Sequence, residues 1–335
     1  MAGIIFSEGS GVNDSVFGKS QFPIRMLIEK KAEAFENLSV IDKIFSMEKS
    51  KNFAEKLTGM TSMHGFKPVG EGGAYPVDEM QEGYDKVIQH VTFKDSFKIT
   101  QEMVEDSKVM NMKSKPTQFV NGYYRTREQF GAAILGGAVQ GKSSVVFGGH
   151  TFDTTCNDKL SLFNTGHTSI TGGAANQSNK FTNAFSNDSL AAIEASMQNF
   201  RDDNDNILAV VPDTIIIPND AKLKKAVFEV IGADKDPDTA NNGFNFTFGR
   251  WNVIVWAYLN QFIGAESTPY IIMDSNYNED YKGAVWYDRV PLSIHSYIDR
   301  NTDDNVWNGR ARFSAGFNDW RAFAIGGVSE GTTIS

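Results

Sequence analysis

Three stretches of the chain bring together residue types that could do chemistry. The sharpest is Gly136-Gly137-Ala138-Val139-Gln140-Gly141-Lys142-Ser143, a letter-for-letter match to the glycine-rich loop that cradles phosphates. Such a loop leaves a strand and opens a helix, so that amides at the helix N-terminus face the phosphate. Here a helical pattern precedes it and Ser144-Val145-Val146-Phe147 follows as a short strand, so the stretch reads as a helix terminus with a turn. Tyr270-Ile271-Ile272-Met273-Asp274 could offer a partnering magnesium carboxylate, but apolar strands ending in Asp are common.

Asp202-Asp203-Asn204-Asp205-Asn206 begins like a calcium loop with Asp213 in twelfth place, yet it lacks the central Gly and the terminal Glu. A solvated turn between a helix and a strand is the expectation. His150, Cys156 and His167 are too scattered for a metal finger, and neither GxSxG nor HExxH occurs. His167 is read as a loop anchor. No catalytic residue, cofactor or metal ligand is assigned, and the chain is read as a non-enzyme.

Composition sets the frame for the elements. The 335 residues include 41% hydrophobic types, with 25 Phe, 10 Tyr and 5 Trp, enough to bury sizeable cores in about two compact units. Mean hydropathy is −0.32 and no run of about 18 apolar residues exists, which argues against a helical membrane span. The N-terminus lacks the basic flank and apolar core of a secretory signal, and a lone cysteine cannot make an internal disulfide framework, so a cytoplasmic origin is expected. A net charge of −9 with no clustered basic segment argues against gripping nucleic acid.

Along the chain, the first 22 residues read as an arm. Ile24, Leu27, Ile28, Phe35 and Leu38 form a helical stripe, and Val40 to Leu57 reads as a second amphipathic helix joining Ile41, Ile44, Phe45 and Phe53. From Met60 to Thr100 the pattern is an extended ribbon around Gly65, Phe66, Gly70, Gly72, Gly73 and Tyr75. Its return arm places Val87, Val91, Phe93, Phe97 and Ile99 on one face and His90, Thr92, Lys94, Lys98 and Thr100 on the other. An isolated two-stranded ribbon is at best marginally stable, so it needs a neighbour.

Thr100 is placed to cap a helix over 101–108, and after Pro116 the spacing of Phe119, Tyr123, Phe130 and Ile134 predicts the strongest helix. Residues 150–186 read as loop. A helix over 188–200, a strand over 207–217 and a helix capped by Asn219 or Asp220 follow, then strands over 251–259, 270–273 and 284–298. The closing runs, Val306 to Phe313 and Trp320 to Ile325, are expected to pair with each other across Asn318-Asp319. Trp307, Phe313, Phe317 and Trp320 are then sheet-packing residues, while Arg310, Arg312 and Arg321 stay free for exposed or intersubunit pairing.

These elements come in a familiar order. Extended arm, long hairpin, Ile99-Thr100-Gln101-Glu102-Met103-Val104-Glu105-Asp106, long helix, Leu162-Phe163-Asn164-Thr165-Gly166-His167 with Gly172-Gly173 and Asn179, Val210-Val211-Pro212-Asp213-Thr214-Ile215-Ile216-Ile217-Pro218, and Asp319-Trp320-Arg321 together resemble tailed-phage major capsid proteins, in particular the Mu-like major head subunit group. The resemblance implies an α+β chain with the Hong Kong 97-like capsid fold: N-terminal arm (1–58), extended β-hairpin E-loop (59–98), P domain with the long spine helix (99–187), A domain (188–281), strands returning to the P domain (282–328) and a tail (329–335). It implies a major head protein that self-assembles into hexamers and pentamers of an icosahedral virion shell in the host bacterial cytoplasm. The shell encloses double-stranded DNA without sequence-specific binding and involves no membrane. Asp234, Asp236, Asp238, Asn241 and Asn242 are the expected axial A-domain loop. Expected partners are other copies of the chain, a separate scaffolding protein, a portal and a decoration protein, with no cleaved scaffolding segment ahead of the arm. An encapsulin-like compartment or another phage structural protein is the alternative, and a phosphate-loop NTPase comes last.

Overall fold

A computed structural model describes residues 5–8, 16–36, 38–60, 66–77, 82–106, 109–232, 245–264 and 268–334. The chain opens with β1 (Ile5–Glu8), α1 (Val16–Glu36), α2 (Ile41–Ile44) and β2 (Ser46–Lys49). β3 (Ala54–Met60) and β4 (Glu82–Gln89) form the ribbon, β5 (Val91–Ile99) follows after His90, and α3 (Gln101–Glu105) leads into α4 (Val109–Val139). β6 (Ser144–Phe147) and β7 (His150–Asp153) make a small hairpin. Then come α5 (Asn187–Gln198), β8 (Thr214–Pro218), α6 (Ala221–Gly232), β9 (Asn252–Trp256), β10 (Tyr270–Met273) and α7 (Ser275–Tyr281). β11 (Ala284–Ile298), β12 (Asn305–Phe317) and β13 (Phe323–Gly326) end the order.

Two sheets share α4 as their common packing element. The first runs β1-β11-β12-β5, with β2 also pairing with β11, and the second runs β13-β10-β8-β9. In the second sheet every residue of β8 and β10 is buried, which is why they read as unbroken apolar runs rather than alternating ones. In the first, burial alternates over residues 305–313 of β12, and Pro291 falls within a register shift between Val290 and Ser293, where the ladder bond it cannot donate is not required.

The spine α4 is 31 residues long, about 46 Å at 1.5 Å per residue. It starts seven residues before Pro116 rather than after it, and Pro116 is a buried interior residue. A proline costs one intrahelical bond; here tertiary contacts, including the Lys115 Nζ donation to the Lys98 carbonyl at 2.7 Å, support that turn. Further along, Phe130 is fully buried among the rings of Phe93, Phe147, Phe152, Trp286 and Phe313, joining helix to sheet. Glu128 draws two segments onto the helix: it accepts from Ser39 Oγ at 2.9 Å, from Val40 N at 3.0 Å and from Trp256 Nε1 at 2.8 Å.

Several expectations are corrected. The second amphipathic helix is only the turn of α2, because Ser46–Lys49 joins β11 in parallel register instead, and Phe53 is exposed. The strand predicted over 207–217 is formed only from Thr214, and that over 251–259 gives way to a 3-10 turn at Ala257. Within 150–186 the chain is loop apart from β7 and isolated bridges.

The largest correction concerns the C-terminus. β12 and β13 do not pair with each other; β12 lies between β11 and β5, whereas β13 pairs with β10 in the other sheet. Between them a 3-10 turn at Trp320–Ala322, capped by the Asp319 side chain, redirects the chain. Trp320 is therefore not a sheet residue but stacks face to face on His167, with ring centroids 4.2 Å apart. Trp307, Phe313 and Phe317 do lie in β12, all buried. Arg321, expected to be free, is buried and pairs with Asp319 and Asp203 at 3.3 and 3.4 Å.

Candidate assembly surfaces

The sequence stretches that resembled chemistry have structural duties. Gly136 and Gly137 lie inside α4, and a Cβ at Gly136 would sit 2.7 Å from the Phe262 carbonyl, so the residue is small to let a neighbouring backbone approach. Gly141, at φ +69°, ends the helix, with the Lys142 amide reaching back to the Gly137 carbonyl at 3.0 Å. The phosphate-loop pattern is thus a helix C-terminus, whose exposed dipole end is negative and unsuited to phosphate.

Asp202 is not a solvated turn residue. It is buried and accepts from the amides of Asn204 and Asn206, each at 2.8 Å. Asp213 instead receives Ser275, at 3.1 Å from the amide and 2.5 Å from the hydroxyl, and Asp274 caps α7 through the Tyr277 amide at 2.9 Å. His167 is the loop anchor it was read as: buried, with Nδ1 2.6 Å from Asp158 Oδ2 and Nε2 3.2 Å from Asn179 Oδ1. Both ring nitrogens are engaged, and burial pushes the Cys156 thiol up, so neither serves a nucleophilic pair. Among the described residues no group of three or more His, Cys, Asp or Glu gathers as metal ligands would.

What the molecule does offer is a ribbon that its own chain leaves uncovered. At the described tip, Phe66, Tyr75 and Val77 are 109%, 95% and 87% exposed, and Val69 is exposed beside them. Gly70 and Gly73 close the turn, the Gly73 amide donating to the Gly70 carbonyl at 2.9 Å, and Gly72 takes φ +74°, a conformation that favours glycine. Gly65 lies outside the described residues, as do Asp234, Asp236, Asp238, Asn241 and Asn242.

The base of the ribbon, by contrast, is held firmly. Lys86 on β4 is buried and reaches Asp153 Oδ2 at 2.6 Å and the Thr155 carbonyl at 2.7 Å. Burial opposes the Asp153 carboxylate, yet the hydrogen bonds from Lys86 and Thr155 outweigh it and hold its pKa below the usual range. The expected return-arm face is broken at His90: Ile88 and Lys86 are buried while Val87 is exposed, and the next strand starts anew. Val91, Phe93 and Phe97 therefore belong not to a free hairpin but to β5 in the first sheet. Phe93 stacks on Phe313 at 4.4 Å and Phe97 on Trp307 at 5.9 Å. Of the spine residues, Phe119, Phe130 and Ile134 are buried and Tyr123 is half-buried.

Sequence reasoning missed Val69, Val77, Lys86 and Glu128. A lysine two residues before Ile88, in step with it along the strand, was the available signal for Lys86. Nothing local distinguished the others.

His90, at the joint between ribbon and sheet, has a defined protonation state. Ser50 Oγ gives its proton to Glu55 Oε1 at 2.6 Å, so His90 Nε2, 2.8 Å from the same oxygen, is the donor. Nδ1 is then a buried lone pair with no partner. Burial, then Arg312, lowers the His90 pKa below its ordinary 6.5. A histidine whose folded pKa is depressed contributes stability above the unfolded value that is lost as pH falls. The melting temperature is expected to drop between about pH 7 and pH 5, and His90→Gln should flatten that slope; an unchanged slope in the variant would assign it to other groups.

The chain is thus a two-sheet α+β subunit with a shared spine helix, an anchored ribbon and an exposed tip, the architecture expected of the Hong Kong 97-like capsid fold. The chain belongs to the phage capsid protein family, whose match covers residues 83–326. Among solved structures, it is similar to the capsid of the cyanophage P-SCSP1u (TM-score 0.50, 10% identity, 88% of this chain and 89% of that one). It is also similar to the capsid of a native GTA particle (TM-score 0.50, 11% identity, 85% of this chain and 88% of that one). At such identities the likeness speaks for the fold. No curated protein sequence matches. The role is structural, in the virion, and other copies of the chain are its partners. No helix among the described residues is long and apolar enough to cross a membrane.

Proposed function

We propose that the subunit builds hexamers and pentamers of an icosahedral shell by laying its ribbon tip across an adjacent copy. The observation that carries this is the contrast along one ribbon: its base is locked through Lys86, while Phe66, Val69, Tyr75 and Val77 stand in solvent. Exposed apolar side chains of that size, held on a supported arm, gain most from a neighbour that buries them. Glycines in the tip let one hairpin bend to the different angles of five- and six-fold rings.

In this reading residues 1–58 form the arm, the ribbon within 59–98 is the E-loop, the first sheet with the spine is the P domain, and residues 188–281 make the A domain. β13 closes the A-side sheet, so the 282–328 return is split between the two. The loop carrying Asp234, Asp236, Asp238, Asn241 and Asn242 is assigned to the ring axis. Supporting it, Phe228, Phe246 and Phe248 on the flanking segments are exposed. A separate scaffolding protein, a portal and a decoration protein act with the shell, which assembles in the host cytoplasm and encloses double-stranded DNA without reading its sequence.

Negative-stain imaging of particles formed by the full chain with its scaffolding partner tests the proposal. Closed shells with five- and six-fold capsomers are expected; filaments or unassembled monomers would remove it.

A further inference from the structure

The first sheet has two faces of opposite character. One is covered by α1 and α4 through Ile28, Phe119, Val120, Leu292, Ile294 and Trp307. On the other, strand register sets Lys94 directly opposite Arg310 and Thr92 opposite Arg312, and beyond them lie Ser293 and Val290 of β11. Arg289 stands beside them at the irregularity between Asp288 and Val290. Lys94 and Arg310 are exposed, and Arg289 and Arg312 are half-buried.

None of these four cations makes an ion pair among the described residues. The Nε atoms of Arg289 and Arg312 are buried without a hydrogen-bond partner. Like charges directly opposed across two strands repel, and a desolvated guanidinium N–H with no acceptor is costly. The nearby acids do not relieve this: Asp304 is engaged by Lys98 at 2.7 Å, Asp288 by Arg127 at 2.8 Å, Glu55 accepts from Ser50 Oγ at 2.6 Å and from Asn52 Nδ2 at 3.2 Å, and Asp95 pairs in register with Gly309, on the opposite face. Higher on the basic face, Ile88 and Leu57 of the ribbon base cover Val285 and Tyr287. The bare patch therefore begins where the ribbon's cover stops.

We propose that this four-cation face receives carboxylates from a second copy of the chain, forming a charged contact between subunits; the inference rests on the shell reading above. With 41 Asp and Glu against 32 Lys and Arg, and a net charge of −9, the surface that a neighbouring copy presents is acidic in excess. Planar guanidinium forks with free donors suit bidentate carboxylates.

The test compares wild type with the double variant Arg310→Glu, Arg312→Glu and with the milder Arg310→Gln, all as full chains. Sedimentation velocity is measured at about 50 mM and about 500 mM salt, a range over which screening of exposed charges changes strongly. The charge-reversed subunit is expected to melt no lower than wild type, since the reversal at position 310 sets a carboxylate opposite Lys94, yet to associate at least tenfold more weakly at low salt. Arg310→Gln should fall between, and wild-type association should weaken with salt. Association of both variants at the wild-type level and with the wild-type salt profile overturns the proposal. So does normal association accompanied by loss of binding to a double-stranded DNA probe, which would make the face a phosphate site. Wild type that stays monomeric at both salt concentrations overturns the charged contact as well, whereas the shell reading falls only if imaging finds no closed shells, so the two failures stay distinguishable.

Discussion

Excision of residues 66–77 leaves a folded subunit that makes no shells: this is the first expected result. The removed side chains are exposed, and surface changes of that kind alter stability by only about 0.5 kcal/mol, or about 2 °C in melting temperature for a chain of this size. The ladder from Ala54 to Gln89 and the Lys86 anchor remain. Assembly is different, because each subunit loses the apolar surface of Phe66, Val69, Tyr75 and Val77 at once. Two aromatic side chains alone bring roughly 300–500 Å² to an interface, and even about 3 kcal/mol net per contact is more than a hundredfold in association. Because every subunit repeats that loss, shell yield should fall below detection in sedimentation and imaging. A gentler pair, Phe66→Ser with Tyr75→Ser, should reduce yield without abolishing it. Closed shells from the excised chain would rule out the tip as the assembly element.

The second large effect is internal. Arg127 of the spine makes a two-pronged contact with Asp288 of β11, at 2.8 and 3.2 Å, and its guanidinium lies over the rings of Trp286 and Phe313 at 4.7 and 5.3 Å. Trp286 Nε1 also donates to the same carboxylate at 3.1 Å. Arg127→Met fills similar space but strands Asp288 beneath the spine. Removing one partner of a buried pair costs about 3–5 kcal/mol, so the melting temperature should fall by roughly 10 °C. The double variant Arg127→Met, Asp288→Leu should recover most of that loss, since the desolvation of both charges disappears together. Denaturant midpoints of the three variants decide the matter: a single variant within about 1 kcal/mol of wild type would show that water reaches the carboxylate.

These two effects separate the molecule's rigid and associative parts. The spine helix packs between the two sheets, and the loop knot of Asp158, His167 and Asn179 is closed by hydrogen bonds within the chain. The ribbon tip and the bare basic face are where the chain ends its own packing. On the proposed reading, shell growth follows from burial and charge pairing available only in contact with another copy.

Much of this was legible in the residues alone, for a local reason. The spacing of Phe119, Phe130 and Ile134 made a helix stripe, the unbroken apolar run of β10 made a buried strand, and Thr100 and Asp220 stood where side chains could cap the following helices, as the amides of Met103 and Leu223 show at 3.3 and 2.8 Å. Periodicity reports which face of an element is covered; it does not name the partner. Hence the runs Val306 to Phe313 and Trp320 to Ile325 read as one hairpin, although the strands they form each found a different sheet. Likewise Val91, Phe93 and Phe97 read as a free arm when β12 supplies their neighbour from more than two hundred residues away. The basic face is the clearest case of what tertiary structure alone decided. Lys94, Arg289, Arg310 and Arg312 form no charged run in an acidic chain, and only strand pairing places them side by side, because a sheet joins residues by register rather than by sequence distance.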